Sequence, residues 1–208
     1  MNGKTCVLHQ CRCCVLFAAV VMLIWPTTAH AHLVSTGLGP FYDGITHLIL
    51  TPDDLLGVLA IALLSGLGGT RHGRTALFIL STAWLVGGLL GLQLDRQISL
   101  PLVNTVSFLV VSILVAADRK MPLVILVGLA SALGLLHGFL NGTGLAQAGG
   151  GILALFGIAT AVFVMVALIA ALVISLRAAW VRIAVRVIGS WITAIGLLML
   201  GWAYRGVS

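Results

Sequence analysis

Seven side chains carry the coordination chemistry on offer: His32, Asp43, His47, Asp53, Asp54, His137 and Asn141. Asp43 and His47 stand four residues apart in Phe41-Tyr-Asp-Gly-Ile-Thr-His47. A short helix over 41–50 would put that carboxylate and imidazole on one face. Imidazole suits nickel, cobalt, zinc and copper, and carboxylate oxygen adds charge and tolerates octahedral geometry. A carboxylate one turn away can be a second ligand or can orient the ring. His137 and Asn141 repeat the four-residue spacing. Each site also has a plainer reading: a backbone partner for His47, an interhelical hydrogen bond for His137. Asp53 and Asp54 follow Thr51-Pro52, the layout of a helix start with Thr as N-cap, Pro at N1 and acids on the positive dipole end. They serve as ligands or as that helix start. His32 would chelate through its ring and a free amine if the mature chain begins there.

The elements that must hold these groups follow from composition. Of 208 residues 61% are apolar and 8% charged, with mean hydropathy +1.20. A soluble domain carries about 25% charged residues, so this chain needs lipid to solvate its surface. Glutamate is absent, and the five acids are Asp43, Asp53, Asp54, Asp95 and Asp118. The net charge of +6 is spread singly or in pairs between apolar runs, with no basic face for nucleic acid. The fold class expected is all-α, a polytopic membrane bundle of about six transmembrane helices behind a cleavable signal peptide.

Lys4 and Arg12, the apolar run Val15–Trp25 and Ala29-His30-Ala31 have the form of a secretory signal over residues 1–31. Cys6, Cys11, Cys13 and Cys14 all precede its apolar run, so cleavage would remove every cysteine. A periplasmic segment with a short interfacial helix is expected over 32–51, the transmembrane domain over 52–204 and a periplasmic tail over 205–208. The apolar segments are about 52–69, 75–93, 98–117, 121–140, 150–176 and 186–204, near the roughly 17–25 residues a spanning helix needs. With the mature N-terminus outside, cytoplasmic connections hold Arg71, Arg74, Arg119, Lys120, Arg177, Arg182 and Arg186, against Arg96 and Arg205 outside. That bias obeys the positive-inside rule and fits a bacterial inner membrane. The Arg177–Arg186 stretch fits a turn touching lipid headgroups. His47, Asp53, Asp54, His137 and Asn141 then gather at the outer face, while His72 falls in a solvated cytoplasmic turn.

Ala130, Gly134, Gly138 and Gly142 recur every four residues and predict close helix packing beside His137, a device repeated by Gly87 and Gly91. No nucleotide motif is present, and no G-x-S-x-G elbow or H-E-x-x-H helix marks an enzyme. Ser131 lies six residues before His137, out of hydrogen-bond reach along one helix. Thr82, Ser107, Ser112, Thr160 and Thr193 are the hydroxyls available to line a path through the spans.

Gly37-Leu-Gly-Pro-Phe-Tyr-Asp-Gly-Ile-Thr-His47, Thr51-Pro-Asp-Asp-Leu-Leu56 and Leu136-His-Gly-Phe139, in a six-span layout, resemble the HupE/UreJ family of hydrogenase and urease accessory membrane proteins, in a divergent second branch. The resemblance covers essentially the whole mature chain. It implies uptake of nickel, or cobalt in some members, for metalloenzyme assembly, with the maturation machinery as a partner. Members typically start the mature chain with His and carry G-x-D-H early and His-Gly-x-Glu later. Here Asp43 and His47 are separated by three residues, and Gly-Phe-Leu-Asn-Gly follows His137. The expectation is a divalent-metal permease with a His/Asp site at the periplasmic face and no tightly bound cofactor. The alternative is a non-transporting accessory protein that binds metal or a partner.

Overall fold

The computed structural model describes residues 36–94, 96–119, 121–176 and 178–205. The proposed signal peptide, its cysteines and His32 lie outside the described residues. Within them the chain is all-helical: α1 Pro40–Leu50, α2 Pro52–Leu67, α3 Thr70–Gly91, α4 Pro101–Ala116, α5 Leu123–Ala148, α6 Gly151–Ser175 and α7 Ala179–Arg205. The six apolar segments are α2 to α7, and the short helix over 41–50 is α1. Pro40, Pro52 and Pro101 each sit in a first turn, where their missing N–H costs nothing.

By length and composition α3, α5, α6 and α7 can each cross a bilayer, and α1 with α2 makes a fifth apolar unit, bent by 78°. Helix α4 has 16 residues, or about 24 Å. These elements make a multi-pass membrane protein.

Three boundaries differ from the sequence expectation, each for one reason. Helix α5 runs on to Ala148, past the expected end of its apolar segment at 140, because Asn141 and Thr143 are buried among other helices rather than hydrated. Helix α3 begins at Thr70 and takes Arg71, His72 and Arg74 into its first turns. Helix α7 begins at Ala179 and takes in Arg182 and Arg186. Hydropathy marks polar residues as loop, but helices with polar ends run past the hydrocarbon.

The most extensive packing joins α3 and α5, along the predicted small-residue stripe. A Cβ on Gly138 would lie 2.2 Å from the Trp84 carbonyl oxygen, and one on Gly142 2.2 Å from that of Gly88. Backbone meets backbone here, so only glycine fits. Helix α1 is held equally tightly on α6: a Cβ on Gly44 would sit 2.0 Å from the Ala154 oxygen. Helix α7 packs mainly on α4, where Thr193 donates to the Ser112 hydroxyl at 3.0 Å.

Candidate functional site

The break between α1 and α2 positions the site. Thr51 was expected to cap α2, yet it makes no side-chain cap; its hydroxyl donates back to the His47 carbonyl at 2.8 Å. The last turn of α1 is thereby tied to the start of α2. That start is sunk in the bundle, since Asp54, three residues in, is only 3% exposed. Discontinuous helices are where transporters place ion sites at membrane depth.

From Asp54 a chain of hydrogen bonds crosses four helices. His137 donates from Nδ1 to Asp54 Oδ1 at 2.6 Å, and Asn141 donates from Nδ2 to Asp54 Oδ2 at 2.8 Å. Asn141 also donates to the His137 carbonyl at 2.9 Å, so its Oδ1 is left to accept from His47 Nε2 at 2.7 Å. On the far side the Ser107 hydroxyl lies 2.8 Å from His137 Nε2 and 2.7 Å from the Asn104 carbonyl. One proton faces two acceptors there, so Ser107 can serve a His137 with or without a proton on Nε2. The order runs His47, Asn141, Asp54, His137, Ser107, from α1 to α5, α2, α5 and α4.

The cluster is dry. His137 is fully buried and Asn141 is 8% exposed. The Trp84 ring packs at 5.6 Å centroid distance from the His137 ring, and its buried Nε1 has no partner among the described residues. Asn104 donates to Asp53, and its own buried Oδ1 is likewise unpartnered. Buried polar atoms are seldom left unmatched, and two of the three in the described chain adjoin this cluster.

The family model described as HupE / UreJ protein matches residues 19–199. The chain belongs to the HupE/UreJ family. No curated protein and no solved structure matches it.

In this HupE/UreJ chain the seven sequence candidates separate. His47, Asp54, His137 and Asn141 come together. Asp53 and Asp54 part, because neighbours on a helix point about 100° apart: Asp54 turns to α5 and Asp53 to Asn104 on α4. Asp43 shares helix α1 with His47 but is spent elsewhere, accepting from the Thr36 backbone N–H at 2.6 Å and its hydroxyl at 2.7 Å. Among the described residues no three His, Cys, Asp or Glu side chains gather in a preformed metal cage. Helix α5 continues about three turns, or ~16 Å, beyond His137.

Sequence reading missed Ser107 and Asn104 as site residues. Ser107 entered merely as one of five hydroxyls, with nothing linking it to a histidine 30 residues away on another helix. Thr82 and Thr160, two of those hydroxyls, are exposed on the bundle's outside and bond their own helices' carbonyls. Ser112 and Thr193 do join helices across the interior.

Proposed function

We propose that this HupE/UreJ protein is a divalent transition-metal permease of the bacterial inner membrane, for nickel or cobalt. The buried cluster would be its transport site. The supporting observation is the linking of two imidazoles and a carboxylate through Asn141, inside the bundle at a break between helices. Nitrogen and oxygen donors of this kind suit nickel and cobalt. When the site is empty its donors and acceptors satisfy one another, so no charge is left bare in the low-dielectric interior. An arriving cation would replace those hydrogen bonds by coordination to Asp54, His137, His47 and the Asn141 oxygen. The α1–α2 bend, which carries His47, is the natural place for the accompanying movement. His32, Asp43 and Asp53 would act earlier, as collecting groups towards the periplasmic side. The orientation rests on the count of basic residues, six arginines and Lys120 on the cytoplasmic side of the mature chain against two arginines outside.

Ser107, His137 and Asp54 also stand in nucleophile–base–carboxylate order. HupE/UreJ is an accessory and transport-type family rather than an enzyme family, and the base and its carboxylate are shut inside the bundle. The same hydrogen bonds fix the His137 ring for coordination.

The absence of a preformed cage among the described residues favours a second reading, a non-transporting accessory protein that binds metal or a maturation partner. Nickel and cobalt accumulation in cells separates the two. Expressed wild type should raise accumulation, and His137→Ala and His47→Ala, present at wild-type level in the membrane, should not. Binding without accumulation selects the accessory reading, and full accumulation by both variants removes the transport site.

A further inference from the structure

The other end of α2 opens on a different chemistry. A cavity of about 250 Å³ lies between the last turn of α2, the first turn of α3, the α4–α5 connection and α7. Its floor includes Leu64 and Leu67, and its polar wall is His72, Asp118, Arg119 and Arg182. The sequence suggested a solvated loop for His72; instead its Nε2 donates to the Met121 carbonyl at 3.1 Å and ties α3 to the α4–α5 connection. Asp118 closes α4 in the left-handed region at φ 49°. Its two oxygens both accept from Arg182 Nη2 at 2.9 Å.

Two arginines and one carboxylate therefore line the same cavity. Arg182 keeps Nε and Nη1 unbonded among the described residues, and Arg119 has no partner there. Helix α3 begins beside the cavity at Gly69 without a side-chain cap, so its positive end adds to the same field. A cation leaving the bundle would be repelled here. A phosphate ester fits: guanidinium groups bind phosphate oxygens in pairs, and a leucine floor below a basic rim suits a glycerol backbone and the start of an acyl chain. Basic pockets between transmembrane helices at the cytoplasmic side are where anionic headgroups bind.

We propose that this cavity is a binding site for the phosphate of an anionic phospholipid headgroup, held by Arg119 and Arg182. Metal transport is not needed for it. The experiment uses the purified full chain in detergent, reading the thermal midpoint and bound lipid by native mass spectrometry. Phosphatidylglycerol should bind and raise the midpoint, and phosphatidylcholine should not. Arg119→Gln should weaken phosphatidylglycerol binding about fivefold, the loss expected for one arginine near a surface, with an unchanged lipid-free midpoint. Asp118→Asn, which removes the competing carboxylate, should strengthen binding, whereas Arg74→Gln, at the same end but outside the cavity, should leave it alone. Equal protection by soluble glycerol 3-phosphate overturns a lipid as the occupant. Unaltered binding by Arg119→Gln, or an equal loss in Arg74→Gln, overturns the site.

Discussion

Two carboxylate pairs sit at opposite ends of α2, and they differ in one property. Asp54–His137 is 2.6 Å long with side chains 4% and 0% exposed; Asp118–Arg182 is 2.9 Å long with side chains 21% and 55% exposed. The lengths are alike and the surroundings are not. Water can replace either partner of the outer pair, so losing one leaves a hydrated ion. Nothing in the bundle can replace Asp54, whose two oxygens hold His137 and Asn141 and, through Asn141, His47. The difference teaches that a similar bond serves as a local brace in one place and as the organiser of a cluster in the other.

The strongest way to break the comparison is Asp54→Ala. The change leaves the buried His137 N–H and an Asn141 amide hydrogen without acceptors, at about 1–3 kcal/mol each, so the purified variant should lose much of its resistance to thermal or detergent unfolding. Asp54→Asn should cost less, because its oxygen still accepts from His137 while its amide meets the Asn141 amide donor to donor. Next is Gly138→Ala, which leaves every site side chain in place but drives a Cβ against the Trp84 carbonyl. Overpacking of this kind costs typically 1–3 kcal/mol, and the separation of α3 from α5 should lower metal accumulation as well.

Ser107→Ala is milder. It removes one hydrogen bond from His137, about 1 kcal/mol, and should reduce nickel accumulation more than it reduces the amount of folded protein. At the bottom of the order stands Arg182→Gln, for which no measurable change in the lipid-free midpoint is expected, because exposed pairs contribute little. A large loss there would erase the contrast between the two ends of α2.

Much of the fold was legible. Six apolar runs gave six helices, four of them long enough to cross a bilayer singly, the four-residue glycine repeat gave close packing on α5 but not its partner α3, and the Asp43–His47 spacing suggested α1. The end of α5 was not legible, since hydropathy cannot tell a polar residue in a loop from one buried against partners, and Asn141 and Thr143 are of the second kind. Four of the seven site candidates meet in the structure; the count of basic residues suggested a common end for them but not which would touch. The division between Asp53 and Asp54 needed the helix's rotation about its own axis, which spacing alone does not fix. Ser107 needed the rotation and register of α4 against α5, which no local sequence signal gives. For Asp43 the helix was legible, but the carboxylate's partner, Thr36, lies in the irregular segment before it and gave no signal.

The most direct test is nickel uptake by proteoliposomes holding purified wild type or His137→Ala at equal density. Wild type should carry nickel inward down an imposed gradient, and the variant should do so no faster than empty liposomes. Equal rates for the two would mean that metal does not pass the Asp54–His137 pair.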